Sequence, residues 1–246
     1  MPTTSPPISR ASDSGRRFPG LFVVVEGIDG CGSTTHAKLL AKAIRSRGPE
    51  VVLTCEPSTG PIGSLIRQVL QRRLFVPDAT GPRNFDWSTM ALLFAADRMD
   101  HLDSTVAPAL RAGSVVISDR YDLSSLAYQS VTAHSGADPI PWIRQLNAQA
   151  LRPDLTIVID VPAEVAEERR RARGGVEEMF EARELQARLA MVYARAEELV
   201  PHDRLLHVPG VGEVAEVAAR LFETVLSAAS GFFQELPQVR PSSAER

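Results

Sequence analysis

The amino-acid sequence predicts an α/β fold: a five-stranded parallel sheet with helices on both faces. Three observations predict it. A valine-rich run at Leu21–Glu26 leads through a glycine-rich turn into a helical pattern. Short apolar runs then alternate with helical stretches along the rest of the chain. Polar residues gather just past the ends of those runs, where open parallel sheets bind ligands.

The first strand, Leu21–Glu26, is apolar and β-branched, as suits a strand buried on both faces. Residues 26–35 then read Glu-Gly-Ile-Asp-Gly-Cys-Gly-Ser-Thr-Thr. Gly27, Gly32 and Thr34 keep the intervals of Gly-x-x-x-x-Gly-Lys-Ser/Thr, the loop whose backbone N–H groups cradle phosphate. Ser33 stands where that pattern has its lysine. Behind the loop, Ala37, Leu40, Ala41 and Ile44 recur at i, i+3, i+4, i+7 and make one apolar helix face, with Gly48 as a fitting stop. A nucleotide phosphate is therefore expected at this helix N-terminus, held by Gly27, Ile28, Asp29, Gly30, Cys31, Gly32, Ser33, Thr34 and Thr35. The plainer alternative is an ordinary glycine-rich turn from strand to helix. Cys31 lies inside the loop and is open to a lowered pKa there, or to being a small residue that fits.

The remaining elements follow in order. Val51–Glu56 reads as a second strand and Ile62–Leu74 as a helix. Trp87–Ala112 carries a long helical pattern, open to a break near Pro108. Ser114–Ser118, Leu155–Val161 and Leu205–Val208 are the third, fourth and fifth strands. Val214, Val217, Ala218 and Leu221 stripe a final helix. A single domain over 21–230 is expected, with disordered extensions at 1–20 and 231–246.

Composition sets the outer bounds. The 246 residues are 44% hydrophobic and 23% charged, an ordinary globular balance. A net charge of −3 gives no electrostatic case for nucleic-acid or membrane-surface binding. No apolar run approaches the roughly 18–20 residues that span a bilayer. Two isolated cysteines, Cys31 and Cys55, suit a reducing cytoplasm. Lys38 and Lys42 are the only lysines beside 25 arginines, but a bias toward arginine does not explain serine at position 33.

Five motifs in order give the chain a resemblance to bacterial-type thymidylate kinases from about residue 20 to 225. They are Glu26-Gly-Ile-Asp-Gly; Glu56-Pro57 with Pro61-Ile-Gly and Arg67; Leu93-Phe-Ala-Ala-Asp-Arg98; the run Asp119-Arg-Tyr-Asp-Leu-Ser-Ser-Leu-Ala-Tyr-Gln129; and Arg152-Pro-Asp-Leu-Thr with the arginine-rich 169–173. The resemblance implies the P-loop nucleoside monophosphate kinase fold, transfer of the γ-phosphoryl group of ATP to dTMP with Mg²⁺, and a homodimer. It implies that Arg67 and Arg120 hold the dTMP phosphate and that Phe94 stacks on thymine. Arg98 would reach a base carbonyl and Asp29 the sugar 3′-hydroxyl, with Ser125 and Tyr128 lining base and sugar. Glu56 joins this acceptor set, Thr34 and Asp119 are the Mg²⁺ ligands, and Asp29, Asp119, Arg120 and Arg173 are the catalytic group.

Plainer roles stay open for several of these. Phe94 could be a core ring, Asp97-Arg98 a surface ion pair, and Asp119-Arg120 a helix cap. The five histidines share no spacing and receive no role.

A lid is expected near 166–182. Ala166, Arg169, Arg170 and Arg173 fall on one helix face, and the resemblance implies contact with the ATP phosphates. The stretch 176–181 departs from the family pattern, with no arginine and with Glu177 and Glu178 of the wrong sign. A guanidinium from Arg169, Arg170 or Arg173 is therefore expected above Ser33. The alternatives are a nucleotide-binding paralogue that has lost transfer, or a kinase of another nucleoside monophosphate.

Overall fold

A computed structural model describes residues 18–134, 136–174, 179–180 and 182–235. The expectations for 1–17 and 236–246, and for most of the stretch 176–181 with its two glutamates, lie outside those residues. Five strands, β1 (Leu21–Glu26), β2 (Val51–Cys55), β3 (Val115–Asp119), β4 (Leu155–Asp160) and β5 (Leu205–Pro209), form one sheet. Its order is β2-β3-β1-β4-β5 and every pairing is parallel. The chain thus leaves central β1 toward one edge, returns to β3, then crosses to β4 on the other side. That reversal opens a crevice at the carboxyl ends of β1 and β3.

Helix α1 (Ser33–Arg45) follows β1. Between β2 and β3 come α2 (Pro61–Leu70), α3 (Trp87–His101) and α4 (Ala107–Arg111). α5 (Asp122–Thr132) and α6 (Ile140–Leu146) precede β4. α7 (Ala163–Arg173), α8 (Arg183–Tyr193) and α9 (Ala196–Leu199) precede β5. α10 (Val214–Ala228) and α11 (Ser230–Glu235) end the described chain.

Alternating residues of β1 serve opposite faces of the sheet. Leu21, Val23 and Val25 pack with Ala37, Leu40, Ala41 and Ile44 of α1, the face expected from sequence. Phe22 and Val24 pack with Leu102, Val106 and Leu110. Burial of each large aliphatic side chain contributes roughly 1.5–3 kcal/mol, so the helix that carries the loop is fixed to the sheet along its whole length.

Three boundaries differ from expectation. The 87–112 segment stays helical but widens into a π-turn at Leu102–Val106, with the Ala107 N–H bonded to the Leu102 carbonyl. Pro108 follows at once; it has no N–H to continue the regular ladder, and the wider turn absorbs the loss. α2 stops at Leu70 rather than Leu74, because the chain turns off at Arg72 with φ 56°. The packed chain also runs past residue 230, since Phe232 on α11 is buried in the core.

Glu26 ends β1 with no exposed surface. One carboxylate oxygen accepts the Tyr121 N–H at 2.8 Å and the Ser124 N–H at 3.1 Å. The other accepts the Ser124 hydroxyl at 2.6 Å and the Tyr193 hydroxyl at 2.9 Å. This single side chain therefore ties the end of β1 to the turn after β3 and to α8. Burial pushes its pKa up to about 7, against the lowering pull of Arg120 and of the hydrogen bonds. A carboxyl whose folded pKa exceeds its unfolded value of 4.5 binds its proton more tightly in the native state. Stability from this group accordingly falls as pH rises from about 4.5 to about 7, by on the order of 3 kcal/mol. Urea unfolding across that range should show the decline in the native protein and a flatter profile in Glu26→Gln.

Candidate active site

Backbone geometry shapes the loop first. Gly27 has φ 148°, and a Cβ there would meet Cys31 Sγ at 2.7 Å and the Ile159 carbonyl at 2.9 Å. Gly30 has φ 92°, and its Cβ would meet the Ala166 carbonyl of α7 at 2.3 Å. The first glycine lets the loop turn, and the second lets α7 rest directly on it. Gly32, with φ 93°, leads into α1.

Two cavities open on this loop. The larger, about 1380 Å³, is lined by Asp29, Gly30, Gly32, Ser33, Thr34, Thr35 and His36 and by the charged face of α7. Gly27, Ile28 and Cys31 do not line it: Ile28 and Cys31 turn into the core. Burial pushes the Cys31 thiol up to about 11, which overturns the lowered pKa considered from its position in the loop. Among the described residues seven arginines line this cleft, five of them from α7 and α8, and no lysine does.

The expected arginine face of α7 does reach the loop. Arg169 donates to the Cys31 carbonyl at 3.3 Å and to the Gly210 carbonyl at 3.0 Å. Arg170, buried, donates to the Asp29 carbonyl. Arg173 lines the cleft from an exposed position. Ser33 itself is buried in the loop at the floor of the same cleft.

Sequence reasoning missed three more residues here. Arg183, at the start of α8, lines the cleft and pairs with Glu167 at 3.3 Å, while Arg171 pairs with the same glutamate at 2.5 Å. His36, one of the histidines left without a role, is buried beside Gly32 with Nδ1 unpartnered among the described residues. Burial, then Arg169 and Arg220, lowers its pKa, so the ring is held neutral. Only the spacing to the loop could have flagged His36, and nothing in the sequence flags Arg183.

The smaller cavity, about 290 Å³, brings all seven acceptor candidates together: Glu56, Arg67, Phe94, Arg98, Arg120, Ser125 and Tyr128. Arg67 is braced by the Pro57 carbonyl at 2.8 Å. The Glu56-Pro57 peptide bond is cis. Arg98 is 1% exposed, pairs with Glu56 at 2.7 Å, and donates to Ser125 at 3.0 Å and to Asn147. Asp97 is buried too, but it accepts from the N–H and hydroxyl of Ser58. The surface ion pair considered for Asp97-Arg98 is thus replaced by two separate buried contacts. His101, also unassigned from sequence, bridges Glu56 at 3.2 Å and Thr54 at 2.6 Å. Glu56 is accordingly held between a guanidinium and an imidazole.

Arg120 follows β3 in the left-handed region, φ 72°. Its guanidinium donates to the Gly27 carbonyl at 2.9 Å, Asp29 Oδ1 at 2.6 Å and Ser124 at 3.1 Å, and lies 5.2 Å from the Tyr128 ring centroid. Ser124 in turn bonds Glu26, so the buried carboxylate sets the guanidinium through one hydroxyl. Phe180 packs against Tyr128, with ring centroids 5.5 Å apart, and closes one wall of the pocket. The Thr34 hydroxyl donates to Asp119 Oδ2 at 2.5 Å. The other Asp119 oxygen is buried without a partner among the described residues. An unpaired buried carboxylate oxygen beside a hydroxyl is a suitable pair of hard donors for Mg²⁺. Asp29, Thr34, Gln71 and Arg120 line both cavities, which meet there.

Comparison with known proteins agrees with this geometry. The thymidylate kinase family model matches residues 25–217. A probable thymidylate kinase of Pyrococcus abyssi is 40% identical over 198 residues, covering 80% of this chain and 93% of the relative. One of Thermococcus kodakarensis is 40% identical, over 84% and 98% of the two chains. The thymidylate kinase of Ruegeria pomeroyi is 38% identical, over 85% and 95%. With its sheet order, its loop and its paired cavities alike, the chain belongs to the thymidylate kinase family.

Proposed function

We propose that this protein transfers the γ-phosphoryl group of ATP to dTMP, giving dTDP and ADP. The observation that carries it is the meeting of two cavities at Asp29, Thr34, Gln71 and Arg120. A donor in the larger cleft and an acceptor in the smaller pocket would face each other there. Transfer between two polyanions depends on alignment and on charge neutralisation, with little covalent chemistry left to the protein.

Within this reading, loop N–H groups hold the donor phosphates. Arg67 and Arg120 grip the acceptor phosphate, since a guanidinium fork matches phosphate oxygens two at a time. Phe94 stacks on the base, and Arg98, fixed by Glu56, addresses its edge. Asp29, Ser125 and Tyr128 serve the sugar. Thr34 and Asp119 would hold Mg²⁺, whose charge offsets repulsion between the phosphates. Arg169, Arg170 and Arg173, on the helix that rests on Gly30, supply the positive charge that Ser33 does not. A homodimer in the cytoplasm belongs to the same proposal; the free Cys31 and Cys55 suit a reducing compartment. No helix among the described residues is long and apolar enough to cross a membrane.

Purified protein with ATP and Mg²⁺ should form ADP with dTMP far faster than with dCMP, UMP, AMP or GMP. Measurable dTMP binding without ADP formation would overturn the assignment. Arg120→Ala should lower kcat/KM for dTMP by about 10²–10³-fold, the usual loss of one preorganised charge donor. Among Arg169→Ala, Arg170→Ala and Arg173→Ala, at least one should lower kcat by about 10²-fold or more. Unchanged turnover in all three would remove α7 as the source of the missing charge.

A further inference from the structure

Gln186 is a side chain that neither the sequence pattern nor the reaction itself calls for. It sits on α8, 157 positions from the loop it touches, and is 1% exposed. Its amide makes three hydrogen bonds. Nε2 donates to Asp29 Oδ2 at 2.8 Å and to the Phe180 carbonyl at 2.7 Å, and Oε1 accepts the Asp29 N–H at 3.0 Å. Both amide hydrogens and one acceptor site are therefore used, so the group has one orientation that satisfies every contact.

Of the two partners, only Asp29 reaches the donor cleft. Asp29 lines both cavities, and its carbonyl takes Arg170 of the donor cleft. Phe180 lines only the acceptor pocket, where its ring packs on Tyr128. Gln186 thus joins a residue that the donor cleft grips from α7 to the residue that walls the acceptor. A ligand in either cavity that fixes its own partner also fixes the amide, and the second ligand then finds its wall already ordered.

We propose that Gln186 couples the two nucleotide sites, so that donor and acceptor each strengthen binding of the other through Asp29 and Phe180. Gln186 lines neither cavity and acts as a positioning residue. The inference rests on the dTMP kinase reading for the identity of the two ligands. By linkage the strengthening is reciprocal, and couplings of this kind are typically about 5-fold or more.

The test is equilibrium titration of dTMP, with and without a saturating non-hydrolysable ATP analogue and Mg²⁺, followed by the reverse titration. The native protein should bind dTMP about 5-fold or more tightly when the analogue is present. Gln186→Met keeps the length of the side chain and removes all three hydrogen bonds; its ratio should fall to about one. Gln186→Glu keeps an acceptor for the Asp29 N–H but loses both donors, so its ratio should also fall. Circular dichroism melts establish that at least one variant is folded at the titration temperature. A folded variant with the native ratio overturns the inference, and so does a native ratio of one. Turnover distinguishes the two layers. A native protein that shows coupling but transfers no phosphoryl group sinks the kinase reading alone, and one that turns over without coupling sinks this proposal alone.

Discussion

Asp29 is the residue on which the site's geometry depends. Its backbone N–H goes to Gln186, its carbonyl takes Arg170, one carboxylate oxygen takes Arg120 and the other takes Gln186 again. Helices α7 and α8 and the turn after β3 thereby converge on one residue of the loop after β1. The flanking glycines make this possible: Gly30 lets the α7 backbone approach where any Cβ would collide with the Ala166 carbonyl. Beneath, Glu26 ties the same turn and α8 to the end of β1. Each contact is worth little alone, but charge-assisted bonds that share a carboxylate restrict one another's freedom.

Charge is the second constraint. A phosphate loop with serine in place of lysine lacks a compact ammonium beside the migrating group. The cleft above it is lined with arginines instead, and among the described residues they outnumber the lining acids Asp29, Glu167 and Glu213. A guanidinium is planar and reaches two oxygens at once, so it suits a phosphate approached from above by a helix, whereas lysine rises as a point charge from the loop itself. Arg169 and Arg170 are braced by carbonyls of the loop and of the 209–213 segment. Those braces fix Arg169 and Arg170 against the loop, and under the proposed function that fixing is the preorganisation electrostatic catalysis requires.

Much of this was legible in the residues alone. Five strands and the α1 face were recoverable because period and glycine spacing are local signals; the seven acceptor candidates came from the family resemblance, and the fold brings them to one cavity. Gln186 was recoverable from neither. A glutamine on a helix reads as solvated surface, and its partners are 157 positions away. Asp97 and Arg98 illustrate the same limit: adjacency suggested one ion pair, and packing of α3 sent each to a different buried partner. For Cys31, position in the loop left open either a lowered thiol pKa or a small residue that fits, and burial decides for the small fitting residue. Contacts fixed by tertiary approach leave no periodic trace, and the choice between those two readings of Cys31 needs a measured depth.

The most direct measurement is a crystal structure of the protein with dTMP and a non-hydrolysable ATP analogue bound together. A guanidinium from α7 should lie about 3 Å from an oxygen of the γ-phosphate, a charge-assisted hydrogen bond, in the space over Ser33. A γ-phosphate surrounded there by backbone N–H groups and solvent, with every arginine of α7 turned away, would contradict it.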